Sequence, residues 1–384
     1  MLAPAAIAAA IGVLASPVHA GSRLWEAGSP LAGRSSNGTM VMEMDIARRA
    51  ISFQPTGGES GHYTWPDKKI KYCYADATAK QKLRGPLEES MQTTWGALRD
   101  LGFSYEEVDL AKCDKDRINH LKIHYNDQGK LATSIGKHPV DDKWNRENPD
   151  NQVLGPSMHL STVEGIGMLD IVANVAHELG HAWGLYHEHQ NPNFWVTTVE
   201  DQFPTGPNDP MWASYNGDVQ EFQPSQFNCR ALSDYAEALK RAQELASKGG
   251  EYADITRTFC SSQAHASKVK FSAKDWLPLS HGVPVIADAA FDPDSIMLYP
   301  SGAGGLRSGN AGPDGRQDVL TRAGGVRMMP NVVPSPMDIE RLRVLYSVNI
   351  ANIQELHIRG AKKSTFDKIK KKIPKFGSAK DKKC

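Results

Sequence analysis

The chain predicts an α+β fold, and three observations carry that prediction. Residues 171–183 have the apolar spacing of an amphipathic helix, and His120–Tyr125 alternates as a half-buried strand does. Ser335-Pro336-Met337-Asp338 opens a second, well-marked helix. The chain has 384 residues with 44 Lys+Arg against 44 Asp+Glu. Residues 61–347 are long enough to bury the core of one substantial domain.

In chain order, residues 2–17 are rich in Ala, Ile, Leu and Val, and Val18-His19-Ala20 offers a small-residue cleavage pattern. Residues 1–20 therefore read as a secretory signal peptide, although no Lys or Arg precedes the apolar run. Residues 21–60 form an extension with a glycosylation sequon at Asn37-Gly38-Thr39. Ala79–Leu101 is expected to be the first long helix, kinked or divided at Gly85-Pro86. Ile171, Val175 and Leu179, with Val172 and Trp183, make the apolar stripe of the next helix. Asp170, Asn174, His177 and His181 make a separate polar row, expected to face a cleft. Arg230–Lys248 suggests another helix, with Ala236, Leu239, Ala242 and Leu245 near helical spacing. In the last helix Ser335 caps, Pro336 suits the first position, Asp338 completes a variant capping box, and Leu342, Leu345 and Tyr346 turn inward. The basic tail, 348–384, carries eleven Lys/Arg against three Asp/Glu from Ala351 onward. It is a solvated tail or a segment for anionic surfaces. No nucleic-acid recognition module and no further bilayer-spanning run is present in the sequence.

The chemistry concentrates in His177-Glu178-Leu179-Gly180-His181-Ala182-Trp183-Gly184-Leu185-Tyr186-His187-Glu188. His177 and His181 are four residues apart and so share a helix face. Glu178 stands beside the first ligand, where a carboxylate can work on water without binding metal. Gly184 is expected to end the helix with a positive φ and turn the chain so that His187 joins the other two rings. Three nitrogen ligands and a fourth position for water describe a catalytic zinc site.

A hundred residues on, Ser295-Ile296-Met297-Leu298-Tyr299-Pro300 resembles the Met-turn of metzincin proteases. Glu188 directly after the third histidine, Tyr299 two residues after Met297, and Phe291-Asp292-Pro293-Asp294-Ser295 narrow the resemblance to the astacin family. It implies a mixed twisted sheet and two helices above a cleft, with a loop-rich lower half closed by a helix near Ser347. It implies a secreted zinc endopeptidase acting on protein or peptide substrates, with zinc-activated water and Glu178 as general base. Met297 would support the ligands by packing, and Glu188 and Gly184 would be structural supports. The Tyr299 hydroxyl would bind the resting zinc or swing away to hydrogen-bond the reacting carbonyl oxygen. Trp65–Tyr72 looks like the first strand of such a domain, and Ala132–Lys137 and Met158–Ser161 like two more. The last of these would hold the edge position where extended substrate pairs with the sheet. Residues 21–60 would include a propeptide, with Asp45 a candidate zinc-blocking acid and Arg48-Arg49 a candidate processing site.

Two features depart from the family pattern. The five cysteines are placed differently; proximity along the chain favours Cys73 with Cys113 and Cys229 with Cys260, leaving Cys384 over. Residues 193–290 separate the two halves of the site by more than an astacin needs. That insertion is either a rim restricting substrate access or a tolerated structural addition. The alternative function is a secreted metal-containing binding or surface-adhesion protein with little turnover.

Overall fold

A computed structural model describes residues 64–137, 154–195, 221–279, 290–308 and 314–347, with Arg146 and the short strands Trp25–Ala27, Ser52–Phe53 and Val285–Ile286. The signal peptide, Asn37, Asp45, Arg48-Arg49, the basic tail and Cys384 lie outside the described residues.

A mixed sheet organises the chain. In sequence order its strands are β1 (Trp25–Ala27), β3 (Lys69–Tyr74), β4 (Ser104–Glu107), β5 (Leu121–Asn126), β6 (Leu131–Thr133) and β7 (Ser157–Ser161), in spatial order β1-β6-β7-β5-β3-β4. Only the β6–β7 pair is antiparallel. Alternation decides which face is covered. Ile123 and Met158 are paired partners, and with Leu121 and Leu160 they lie on one buried face. Helix α1 (Ala77–Glu89) packs over β3 and β5, and helix α3 (Ile171–Trp183) over β6 and β7. Between them in sequence, helix α2 (Leu110–Lys115) is tied to β3 by the Cys73–Cys113 disulfide, with Cα atoms 6.2 Å apart. The short pair β2 (Ser52–Phe53) and β8 (Val285–Ile286) is antiparallel, and Ser52 is fully buried in a bridge to Leu185.

In the sheet and its first helix, three expectations are corrected. Gly85-Pro86 does not divide α1, which runs through Pro86 and widens into a looser turn over Ser90–Thr94. The break falls at Trp95, whose backbone leaves helical geometry before a tight turn over Gly96–Leu101. The strand expected from Trp65 begins at Lys69, because Pro66–Lys68 form a tight turn with positive φ at Asp67 and Lys68. Met158–Ser161 is not an edge: β7 has β5 on one side and β6 on the other, so β6 lies further out, with β1 beside it.

The insertion is helical and disulfide-bonded. Helix α4 (Tyr235–Ala246) begins five residues later than the sequence suggests, because Cys229–Ala231 is taken up in a tight turn. Ala238 and Ala242 are its buried positions, with Leu239 and Leu245 half-buried, while Ala236 is exposed. Helices α5 (Ile255–Thr258) and α6 (Gln263–Lys268) follow, and Cys229–Cys260 closes the unit with Cα atoms 5.8 Å apart. Helix α7 (Pro336–Leu345) has the expected capping box between Ser335 and Asp338.

Side-chain donors from the upper half hold α3 by its carbonyls. Ser90 Oγ donates to Val172 O at 2.8 Å, Trp95 Nε1 to Ala176 O at 2.8 Å and Trp65 Nε1 to Ala182 O at 2.7 Å. Gly136 N donates to His181 O at 2.9 Å. Trp95 is buried, so Trp95→Phe should cost about 1–3 kcal/mol in urea unfolding, through one lost hydrogen bond and a small void. A variant as stable as the parent would show that this contact does not anchor α3.

Candidate metal centre

Asp170 caps α3 by accepting from Ala173 N at 2.8 Å, and Gly184 ends it with φ 116°. That left-handed conformation is one glycine adopts without strain. Residues 173–183 are buried all round. The polar row therefore does not line an open cleft along its length: Asn174 Oδ1 accepts from Met168 N at 2.7 Å and fastens the preceding loop. The other two members of the row, His177 and His181, meet His187, and the three candidate ligand atoms lie within 4.8 Å of one another.

The outward nitrogen of each ring is bonded to an oxygen. His177 Nδ1 reaches Ile296 O, His181 Nδ1 reaches Leu185 O and His187 Nδ1 reaches Gln190 Oε1, each at 2.8 Å. Carbonyl oxygens only accept, so each Nδ1 carries the proton and each Nε2 is left as a lone pair. His181 Nε2 and His187 Nε2 then stand 2.9 Å apart, two lone pairs facing each other. Such a pair calls for a cation between them. Two nitrogens on a tetrahedral zinc would be about 3.3 Å apart, close to this spacing. Burial, first, holds all three imidazoles neutral: His181 falls to about 4, and His177 and His187 well below their usual value. Neutral imidazole is the ligating form. The donor set fits one zinc ion.

Glu178 is buried, and its Oε2 has no hydrogen-bond partner among the described residues. Desolvation raises its carboxyl to about 8, opposed by the neighbouring Thr133 side chain, which favours the ionised form. Tyr299 is fully buried, its ring 4.2 Å from His187 and 5.6 Å from His177 between centroids.

The Met-turn lies under the helix. A Cβ at Gly180 would strike Met297 Sδ, so the glycine between the first two ligands is there to let the sulfur approach. The turn is held from both sides. Glu188 N donates to Met297 O at 3.0 Å, and Glu188 Oε1 accepts from Asp292 N at 3.0 Å. Asp292 Oδ2 accepts from Ser335 Oγ. Asp338, besides closing its capping box, accepts from Ser295 Oγ at 2.7 Å and Ile296 N at 2.9 Å. Burial pushes its carboxyl up to about 6 against those hydrogen bonds.

All eight residues singled out in the sequence gather here: His177, Glu178, His181, Gly184, His187, Glu188, Met297 and Tyr299. Asp338, Gln190, His189 and Trp276 join them at the site without a functional signal in the sequence. Asp338 was legible only as a cap, and no local spacing marks the other three. His189 is buried, its ring 5.3 Å from His187 and 4.6 Å from Tyr299. Trp276 meets Tyr299 edge-on at 5.1 Å.

No protein-family model matches the chain, and no curated protein matches it. Among solved structures, myroilysin aligns over 78% of this chain and 100% of its own, at 14% identity and a TM-score of 0.35. High choriolytic enzyme 1, a hatching enzyme zinc-protease from the medaka fish Oryzias latipes, aligns over 75% of this chain and 94% of its own, at 13% identity and a TM-score of 0.37. Both alignments are distant, and the chemistry of the site rests on its own geometry.

Replacing Asp338 by Ala strands Ser295 Oγ, Ile296 N and Ser335 N in the interior. The variant should lose at least about 2 kcal/mol in urea unfolding. Parent-like stability would mean that Asp338 does not anchor the Met-turn.

Proposed function

We propose that this chain is a secreted zinc endopeptidase of the astacin type. The observation that carries the reading is the convergence of three buried imidazoles, two of them on the helix that also carries Glu178 with its unpartnered carboxylate oxygen. His177, His181 and His187 would hold the ion. Bound zinc supplies Lewis-acid polarisation of the scissile carbonyl and lowers the pKa of water to about 7.

Glu178 takes the proton from the attacking water as the water oxygen bonds to the carbonyl carbon. It returns the proton to the amine nitrogen as the C–N bond breaks. To accept that proton the carboxylate must be ionised, and a zinc ion held by the neighbouring histidines would favour the ionised form against the burial that opposes it. The Tyr299 hydroxyl donates to the carbonyl oxygen as negative charge develops there. Met297, Gly184 and Glu188 keep the ligands in place without touching substrate.

The substrate is an extended peptide paired with β6, whose backbone gives affinity whatever the side chains. The N-terminal extension supports this placement. The backbone of Trp25–Ala27 runs parallel to β6 and passes beside the Ser272–Asp275 turn of the insertion. We read residues 21–60 as a prosegment whose Trp25–Ala27 strand takes the place that substrate will take, and the insertion as a wall of that cleft. The signal-like residues 1–20 and the two disulfides support export to an oxidising compartment. None of the described helices is long and apolar enough to cross a membrane. The basic tail is proposed to contact anionic surfaces.

Glu178→Gln should keep one zinc per chain and lose roughly 10²–10⁴-fold in kcat. Tyr299→Phe should lose about 10²–10³-fold in kcat with metal content unchanged. A zinc chelator should abolish peptide cleavage and added zinc restore it. A binding or adhesion protein would show no turnover at any zinc concentration, and that result would overturn the reading.

A further inference from the structure

We propose that the insertion is a positioning element for the third metal ligand, acting through Gln190. The inference rests on the zinc reading above and concerns what fixes His187. His177 and His181 are set by α3, but His187 sits on extended backbone with φ −67° and ψ 135°. No helix aims its ring.

The partners of the three Nδ1 groups differ in kind. Those of His177 and His181 are main-chain carbonyls, whereas His187 relies on the side-chain oxygen of Gln190. An amide can present either its oxygen or its nitrogen, so something must fix which end faces the ring. The insertion does this. Gln190 Nε2 donates to Lys274 O at 3.3 Å and Leu277 O at 3.2 Å, and both carbonyls belong to the segment after α6. With both amide hydrogens spent on those carbonyls, Oε1 is left to face His187. Gln190 O also accepts from Leu279 N at 2.9 Å, which fastens the main chain of the two segments together. Gln190 is buried, so water does not compete for these bonds.

The same stretch of insertion steadies the far side of the ligand. Asp275 O is bonded to His189 Nε2 at 2.9 Å, and the His189 ring stacks on His187 with an interplanar angle of 19°. Lys274, Asp275 and Leu277 thus aim three carbonyls at the two residues that flank the His187 ring. The consequence is specific: the insertion selects the His187 tautomer, with the proton on Nδ1 and the lone pair on Nε2 turned toward the other two imidazoles. Outer partners of metal-bound histidines characteristically set ring orientation and basicity in this way.

The test uses the full chain and two variants, Gln190→Met, which keeps the length without the amide, and Gln190→Asn, which is one methylene short. Zinc affinity is measured by competition with a chromophoric chelator, and the cobalt-substituted proteins are compared by visible absorption. Hydrogen exchange of the 272–279 peptide is followed with and without zinc. Both variants should bind zinc about 10- to 100-fold more weakly and give an altered cobalt spectrum. In the parent, zinc should slow exchange in 272–279, a segment with no ligand in it, and Gln190→Met should remove that protection. Parent-like affinity and spectrum in both variants, or no effect of zinc on the 272–279 peptide, would overturn the proposal. A parent protein that takes up no zinc at His177, His181 and His187 would instead overturn the functional reading beneath it.

Discussion

The structure turns on the close approach of two imidazole lone pairs inside the protein. His181 Nε2 and His187 Nε2 face each other at 2.9 Å with both Nδ1 protons directed outward to oxygen. Both rings are buried away from bulk solvent. Such an arrangement is costly for a metal-free protein and favourable around a cation. Most of the surrounding detail consists of the means by which the fold holds the rings there.

Those means come from distant parts of the chain. The tryptophans at 65 and 95 bond the carbonyls of α3 and fix its height above the site. From below, one run of hydrogen bonds links Glu188 to Asp292, Asp292 to Ser335, and Asp338 to the Met-turn. The Met-turn returns to the ligands through Ile296 O on His177 and through Met297 against Gly180. The C-terminal helix is therefore tied by hydrogen bonds to the candidate metal centre rather than being a mere closing element. Buried polar networks of this kind are stabilising only when nearly every member is paired, which explains why their residues are short and specific: Ser, Asp and Glu rather than longer, adaptable groups.

How much of this was legible follows from sequence separation. The two helical ligands, the glycine turn and the third ligand lie within twelve residues, so their geometry is nearly local and the pattern alone conveys it. The cap at Ser335 was readable for the same reason. Asp338 as anchor of the Met-turn was not, because its partners stand more than forty residues away. Gln190 is near His187 in sequence, but its role depends on carbonyls from Lys274 and Leu277, which no side-chain pattern announces. The edge of the sheet is not legible locally because strand order is a tertiary property: the Met158–Ser161 alternation fits an interior strand as well as an outer one. Pro86 does not end α1, because a helix packed against the sheet continues through it.

The central claim is that His177, His181 and His187 together hold one zinc ion. Zinc-edge X-ray absorption on the purified protein tests it most directly. It should report three imidazole nitrogens at about 2.0–2.1 Å with the rest of the shell made of oxygen, and the His187→Ala variant should show two. Sulfur in the first shell, or a parent spectrum with fewer than three imidazoles, would contradict the account.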